Sequence, residues 1–158
     1  YCKKNKKKLI FLSKYHASEE RNIRKFFDEN GWIFSGQKNI PKSIKELDIM
    51  YKSLNNNLIV FSGTTLGFEA LARGLKCVTF DKTLNAYDTL NNNKYPDKGV
   101  FWANPKNYKE FEKKINDVIK IPRKKWEKSI KKYSDEIMAF DYKNKKTISI
   151  LKKLLKKN

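Results

Sequence analysis

Apolar residues follow two alternating rhythms along this chain. Short unbroken runs, Leu9-Ile10-Phe11-Leu12, Trp32-Ile33-Phe34, Leu58-Ile59-Val60-Phe61 and Cys77-Val78-Thr79-Phe80, are separated by stretches with helical spacing. Runs this short, without polar alternation, predict strands of a buried parallel sheet. Between the first two runs, Ser18 is expected to cap a helix with Glu19 and Glu20 in its first turn. Its apolar face is Ile23, Phe26 and Phe27, and it stops at Asn30-Gly31. Pro41 stands near the start of a second helix bearing Ile44, Leu47, Met50, Tyr51 and Leu54. The third run ends in the turn Ser62-Gly63-Thr64-Thr65, a helix is predicted over 66–73, and Gly74 stops it before the fourth run. Alternating strands and helices with short links predict an α/β fold. Right-handed crossovers would place the Ser62 turn at the carboxyl edge of the sheet, where open α/β sheets bind ligands.

The pattern then changes. Residues 82–99, with Asn91-Asn92-Asn93, Pro96 and Gly99, form the longest irregular stretch, and a loop of that length is usually functional or mobile. Val100-Phe101-Trp102-Ala103 is expected to add a short strand. Asn107 with Glu110 makes a capping box for a helix through Phe111, Ile115, Val118 and Ile119. Pro122 restarts a helix with Trp126, Ile130, Tyr133, Ile137 and Met138 on one side, and Asp141 caps a last helix bearing Ile148, Leu151, Leu154 and Leu155. The expected organisation is one domain over 1–158, with an α/β core over 8–104 and a helical tail over 105–158.

Composition narrows the class. The 158 residues suffice for one buried core, and no run approaches the roughly 20 apolar residues of a membrane span. The chain opens on Tyr1 rather than Met, so it is expected to be a piece of a longer product. Lys and Arg number 36 against 17 acids, a net charge of +19. Three sources compete for that excess: a coding bias towards Lys and Asn, attraction to an anionic membrane surface, and nucleic-acid binding. The lysines are spread over every predicted helix, without a concentrated stripe or a nucleic-acid-binding motif, so no nucleic-acid partner is expected. Cys2 and Cys77 lack a metal-ligand spacing, Cys77 reads as a small core residue, and a reduced cytoplasmic setting is the expectation.

The Ser62–Thr65 turn carries the chemistry. A helix N-terminus offers unpaired N–H groups and roughly half a positive charge, which suits a phosphate. Ser62, Thr64 and Thr65 supply more hydroxyls than one cap needs, and Gly63 and Gly67 leave room for a ligand to approach; the plain alternative is an ordinary helix cap. The Gly-Lys-Ser/Thr ending of a Walker loop is missing, and the glycine spacing is not that of a dinucleotide site. Glu69, one turn into the helix, is placed to accept from sugar hydroxyls; the alternative is a solvated helix residue. His16 and Lys14 follow the first strand and are expected on the same carboxyl edge, as a phosphate or sugar contact or as structural residues. No nucleophile partners His16, so a hydrolase triad is unsupported. Lys98, in Tyr95-Pro96-Asp97-Lys98-Gly99-Val100-Phe101-Trp102, either lines a pocket with those aromatics or stands in a simple turn. The basic, amphipathic tail is expected to pack on protein, with a secondary attraction to anionic lipid.

Residues 61–76, Phe-Ser-Gly-Thr-Thr-Leu-Gly-Phe-Glu-Ala-Leu-Ala-Arg-Gly-Leu-Lys, resemble the donor-site signature of bacterial surface carbohydrate biosynthesis proteins, GT-B-type glycosyltransferases of lipopolysaccharide and capsule assembly. The runs Pro96-Asp97-Lys98-Gly99-Val100-Phe101-Trp102-Ala103-Asn104 and Trp126 through Asp141 are similar to that group too. The resemblance implies a Rossmann-like sheet flanked by helices, the C-terminal, nucleotide-sugar-binding half of a two-domain transferase whose acceptor domain lies outside this chain. Ser62, Gly63, Thr64 and Thr65 would hold the donor phosphates and Glu69 the ribose or sugar hydroxyls. No metal or cofactor is expected; the donor is a nucleotide sugar and the acceptor a carbohydrate or lipid-linked molecule. The catalytic base would come from the other half, and the last helix would cross back to it. The cysteine usage and the basic tail together give an expected location in the cytoplasm, with a peripheral contact at the inner face of the membrane as the secondary option. A nucleotide-sugar epimerase-like protein shares this architecture, and a basic nucleic-acid-binding module is the reading from another class.

Overall fold

A computed structural model describes residues 1–12, 17–35, 41–61, 64–80, 98–138, 140–141 and 144–155. Its elements are β1 (Ile10–Leu12), α1 (Ala17–Glu29), β2 (Ile33–Ser35), α2 (Ile44–Ser53), β3 (Leu58–Phe61), α3 (Thr65–Ala72), β4 (Lys76–Thr79), α4 (Tyr108–Lys120), α5 (Arg123–Ile137) and α6 (Lys145–Leu155). The chain is α/β, with the described strands paired as two parallel ladders, β1 with β2 and β3 with β4. It divides into two compact units, Tyr1–Met50 and Tyr51–Asn158, joined within α2.

In the first unit, β1 and β2 run parallel with Ile10 opposite Ile33 and Phe11 opposite Phe34. Aromatic packing holds this unit together. Phe27 is buried and meets Phe11, Phe26, Trp32 and Phe34 with ring centroids 5.4–6.1 Å apart, within the range where offset and edge contacts are favourable. Helix α1 begins at Ala17, so Ser18 lies inside the first turn rather than in the cap position expected for it. Ser43 caps α2 instead of leaving that end to Pro41: its Oγ accepts from the Glu46 N–H at 3.2 Å, and Glu46 reaches back to the Lys42 N–H at 2.8 Å. That reciprocal pair satisfies two of the donors that a helix start leaves open.

The second unit is built on β3 and β4, paired from Leu58–Lys76 to Phe61–Thr79. Residues 101–103 extend this ladder without becoming a full strand. Thr79 donates to Phe101 O at 2.8 Å and accepts from the Ala103 N–H at 3.1 Å, a parallel bridge to Trp102. Lys98 turns back to pair antiparallel with Ala103. The core contains Leu71, Leu75, Cys77, Val78, Phe101, Trp102, Val118, Trp126 and Ile130, all at most 3% exposed. Trp126 buries its ring and still satisfies its indole N–H, which donates to Leu75 O at 2.9 Å.

Helix α3 ends where the sequence places its stop. Gly74 adopts φ +78°, the Gly74 N–H donates to Leu71 O at 2.9 Å and the Leu75 N–H to Ala70 O at 3.0 Å. These two bonds form the Schellman closure, which requires a left-handed residue. Helix α4 starts at the predicted cap, with Asn107 Oδ1 accepting from the Glu110 N–H at 3.1 Å. Asp141 caps α6, accepting from the N–H groups of Lys146 at 3.0 Å and Thr147 at 2.9 Å. The α6 side chains are all exposed, so its apolar stripe is not packed on the described residues as expected. No helix among the described residues is long and apolar enough to cross a membrane.

Candidate functional site

The parallel pairing of β3 and β4 around α3 sets the polarity of the site. Both strands end on one edge of the ladder, and α3 starts from that edge after Phe61. Ser62 and Gly63 lie outside the described residues, as do His16 and Lys14. Thr64 is the cap residue: its Oγ1 accepts from the Gly67 N–H at 3.3 Å. One of the hydroxyls assigned to a ligand therefore also performs the ordinary cap function, with its O–H still able to donate. Thr65 occupies the first helical position, and both threonines are exposed.

Gly67 has a different role from the one expected. It is buried, and a Cβ there would fall within the Phe61 ring and 2.7 Å from Phe61 Cβ. The bare backbone makes room for the last residue of β3, not for a ligand. Phe61 also meets Phe68 edge-on, with centroids 5.1 Å apart. The start of α3 is thus held to the strand by packing from beneath, while Thr64 and Thr65 are exposed.

Glu69 is half-buried, one turn into α3. Tyr51, on α2, has its hydroxyl 3.0 Å from Glu69 Oε2 and 3.2 Å from Leu66 O, two acceptors that share its single proton. Burial, then the neighbouring Glu69 carboxylate, pushes the Tyr51 hydroxyl well above the usual phenol range, so it stays a donor at any physiological pH. Glu69 Oε1 accepts no hydrogen bond among the described residues. Arg73, one further turn along, stacks between two rings, 4.6 Å from the Tyr51 centroid and 4.2 Å from that of Phe140. Tyr51 and Arg73 were not among the predicted site residues. The available signal was spacing: Arg73 stands four residues after Glu69 and so on the same helix face.

Lys98 sits on the same carboxyl edge but further along it. Phe61 pairs with Thr79, Thr79 with Trp102, and Lys98 with Ala103. Three strand spacings separate Lys98 from the end of β3, roughly 14 Å. Its ammonium is exposed and lies 3.9 Å from Glu110 at the start of α4. Beneath this turn, Lys114 donates to the carbonyls of Gly99 and, at 2.8 Å, Val100. Burial pulls its ammonium down to about 8. Cys77 is buried and its thiol pushed up by desolvation, consistent with a core residue rather than a nucleophile. Among the described residues no group of His, Cys, Asp and Glu could hold a metal ion.

Thr64, Thr65 and Glu69 are therefore brought together on one helix start, with Tyr51 bonded to the carboxylate and Arg73 stacked on the Tyr51 ring; Lys98 is placed along the same edge, further from them. No curated protein and no solved structure matches the chain. One protein-family model does match, over residues 1–155, and by that match the chain belongs to the family described as "putative O-antigen biosynthesis protein".

Proposed function

We propose that this chain is the nucleotide-sugar-binding domain of a glycosyltransferase acting in O-antigen biosynthesis. The family is tied by its description to that surface carbohydrate. The observation that carries the finer reading is the α3 start: two exposed threonines at a helix N-terminus, followed one turn later by a carboxylate that Tyr51 holds through a single oxygen. The N-terminal end supports a donor phosphate through its positive field and the Thr65 hydroxyl. Ser62 and Gly63 complete the phosphate turn in this reading. Glu69 Oε1 accepts from a ribose or sugar hydroxyl, a charge-assisted bond stronger than a neutral one. Lys98, further along the edge, meets the distal part of the donor. Field and hydroxyls at the helix start would also stabilise the phosphate as it leaves.

The reading is tested by nucleotide-dependent thermal shift with UDP, GDP and CMP. At least one should raise the melting temperature. Thr65→Val and Glu69→Ala should each remove most of that rise, whatever they do to the melting temperature of the free protein. A rise of the same size in both variants, or no response to any nucleotide, would reject the site. Adding labelled sugar nucleotide and acceptor to the intact protein then separates transfer from epimerisation by product.

A further inference from the structure

Helix α6 has a face that the described protein leaves uncovered. Ile148, Ile150, Leu151, Leu154 and Leu155 are 45–75% exposed. At about 100° per residue they fall on one arc, with Thr147 among them, while Lys145, Lys146, Ser149, Lys152 and Lys153 fall on the other. Lys145 and Lys152 border the apolar arc on one side, Lys146 and Lys153 on the other. The helix carries no acid.

Three features identify what this face meets. A helix of 11 residues is marginal in water without tertiary packing, and here the cap supplied by Asp141 is its main local support. Lys145 and Lys146 stand in its first turn, where the helix dipole disfavours cations, so helix stability does not account for them. Lysines on both borders also oppose self-pairing, since a second copy laid on this face would bring like charges together. An anionic lipid surface suits all three: the apolar arc enters the acyl boundary, the lysine stems extend along it, and their ammonium groups reach the phosphates. A shallow concavity on this helix is lined by Lys145, Ile148, Ser149, Lys152 and Lys153.

We infer that α6 lies in the interface of an anionic bilayer and docks this chain on it. The inference stands independently of the nucleotide-sugar reading. It is tested by co-sedimenting the full chain with phosphatidylcholine vesicles and with phosphatidylcholine–phosphatidylglycerol vesicles. The chain should sediment with the anionic vesicles only. Each lysine near such a surface is worth about fivefold in partitioning, so Lys152→Ala with Lys153→Ala should weaken it roughly 25-fold. Leu151→Ser with Leu155→Ser keeps every charge and should weaken it by about tenfold or more. Both variants should melt like the parent, because these side chains are exposed. Absence of sedimentation with anionic vesicles overturns the inference, and so does undiminished binding of the leucine variant, which would assign adsorption to the remaining lysines. Binding of α6 to an acidic protein in place of lipid overturns it as well.

Discussion

Gly67 shows how one residue serves the site from beneath. Its α-carbon sits against Phe61, so any side chain displaces that ring from the end of β3. Gly67→Ala should cost about 2 kcal/mol through overpacking, or roughly 6 °C in melting temperature for a chain of this size. Phe61→Leu alone opens a small cavity, and combining it with Gly67→Ala should recover part of the loss. A thermal-melt double-mutant cycle reads the coupling; strictly additive losses would show that the two residues do not share one space. The glycine was visible in the sequence, but its partner was not. Periodicity gives the face of a helix on which a residue lies and says nothing of which strand residue meets it, so a packing glycine read as a ligand-approach glycine. Tyr51 was legible as an apolar-face residue for the same reason, while its hydroxyl bond to Glu69 depends on how α2 meets α3.

At the scale of elements, the helix ends were the most legible part of the fold, because capping is chemistry among neighbours. Asn107 and Glu110 bond as their spacing predicts, and so does Asp141 ahead of α6. Asn107→Ala should therefore lower stability by about 1 kcal/mol, measurable as a fall in denaturant midpoint with an unchanged slope. Strand ends were less legible. Residues 101–103 make only a bridge to Thr79, since Lys98 turns the chain back at once. Lys114 secures that turn from α4, and its position yields a pH prediction. Its folded pKa is lowered to about 8, below the value of a free lysine. Between those two values the unfolded chain binds more protons than the folded one, so this group's contribution to stability rises with pH. Tyr51 and Cys77 act in the opposite direction at higher pH, since their raised values make the folded chain resist losing those protons. The comparison that isolates Lys114 is parent against Lys114→Met. The parent should gain melting temperature relative to the variant from about pH 8 to 9; a constant difference would place Lys114 in solvent.

At the scale of the molecule, the apolar runs marked the strands, and their parallel pairing within each unit follows the expectation from short α/β links. How far each ladder extends was not readable, because runs of three or four residues carry little information about which neighbours they select. Charge is the other property set by the whole chain. The +19 excess is spread over the helices, and the described ion pairs are mostly exposed partners four residues apart, such as Lys113–Asp117 and Lys131–Asp135. Exposed pairs of that kind contribute little to stability. Uncompensated lysines repel one another over longer distances, because the Debye length is about 30 Å at 0.01 M salt and about 10 Å at 0.1 M. Repulsion therefore reaches across the folded chain in dilute buffer and is screened near physiological salt, while the short pairs lose little. Sodium chloride should thus raise the melting temperature between those two concentrations, most steeply at the low end, and then level off. The gain should be the same in potassium chloride if screening is the cause. A melting temperature that falls with salt would mean that the ion pairs outweigh the excess charge, and the lysines would then have to be counted as part of what holds the fold together.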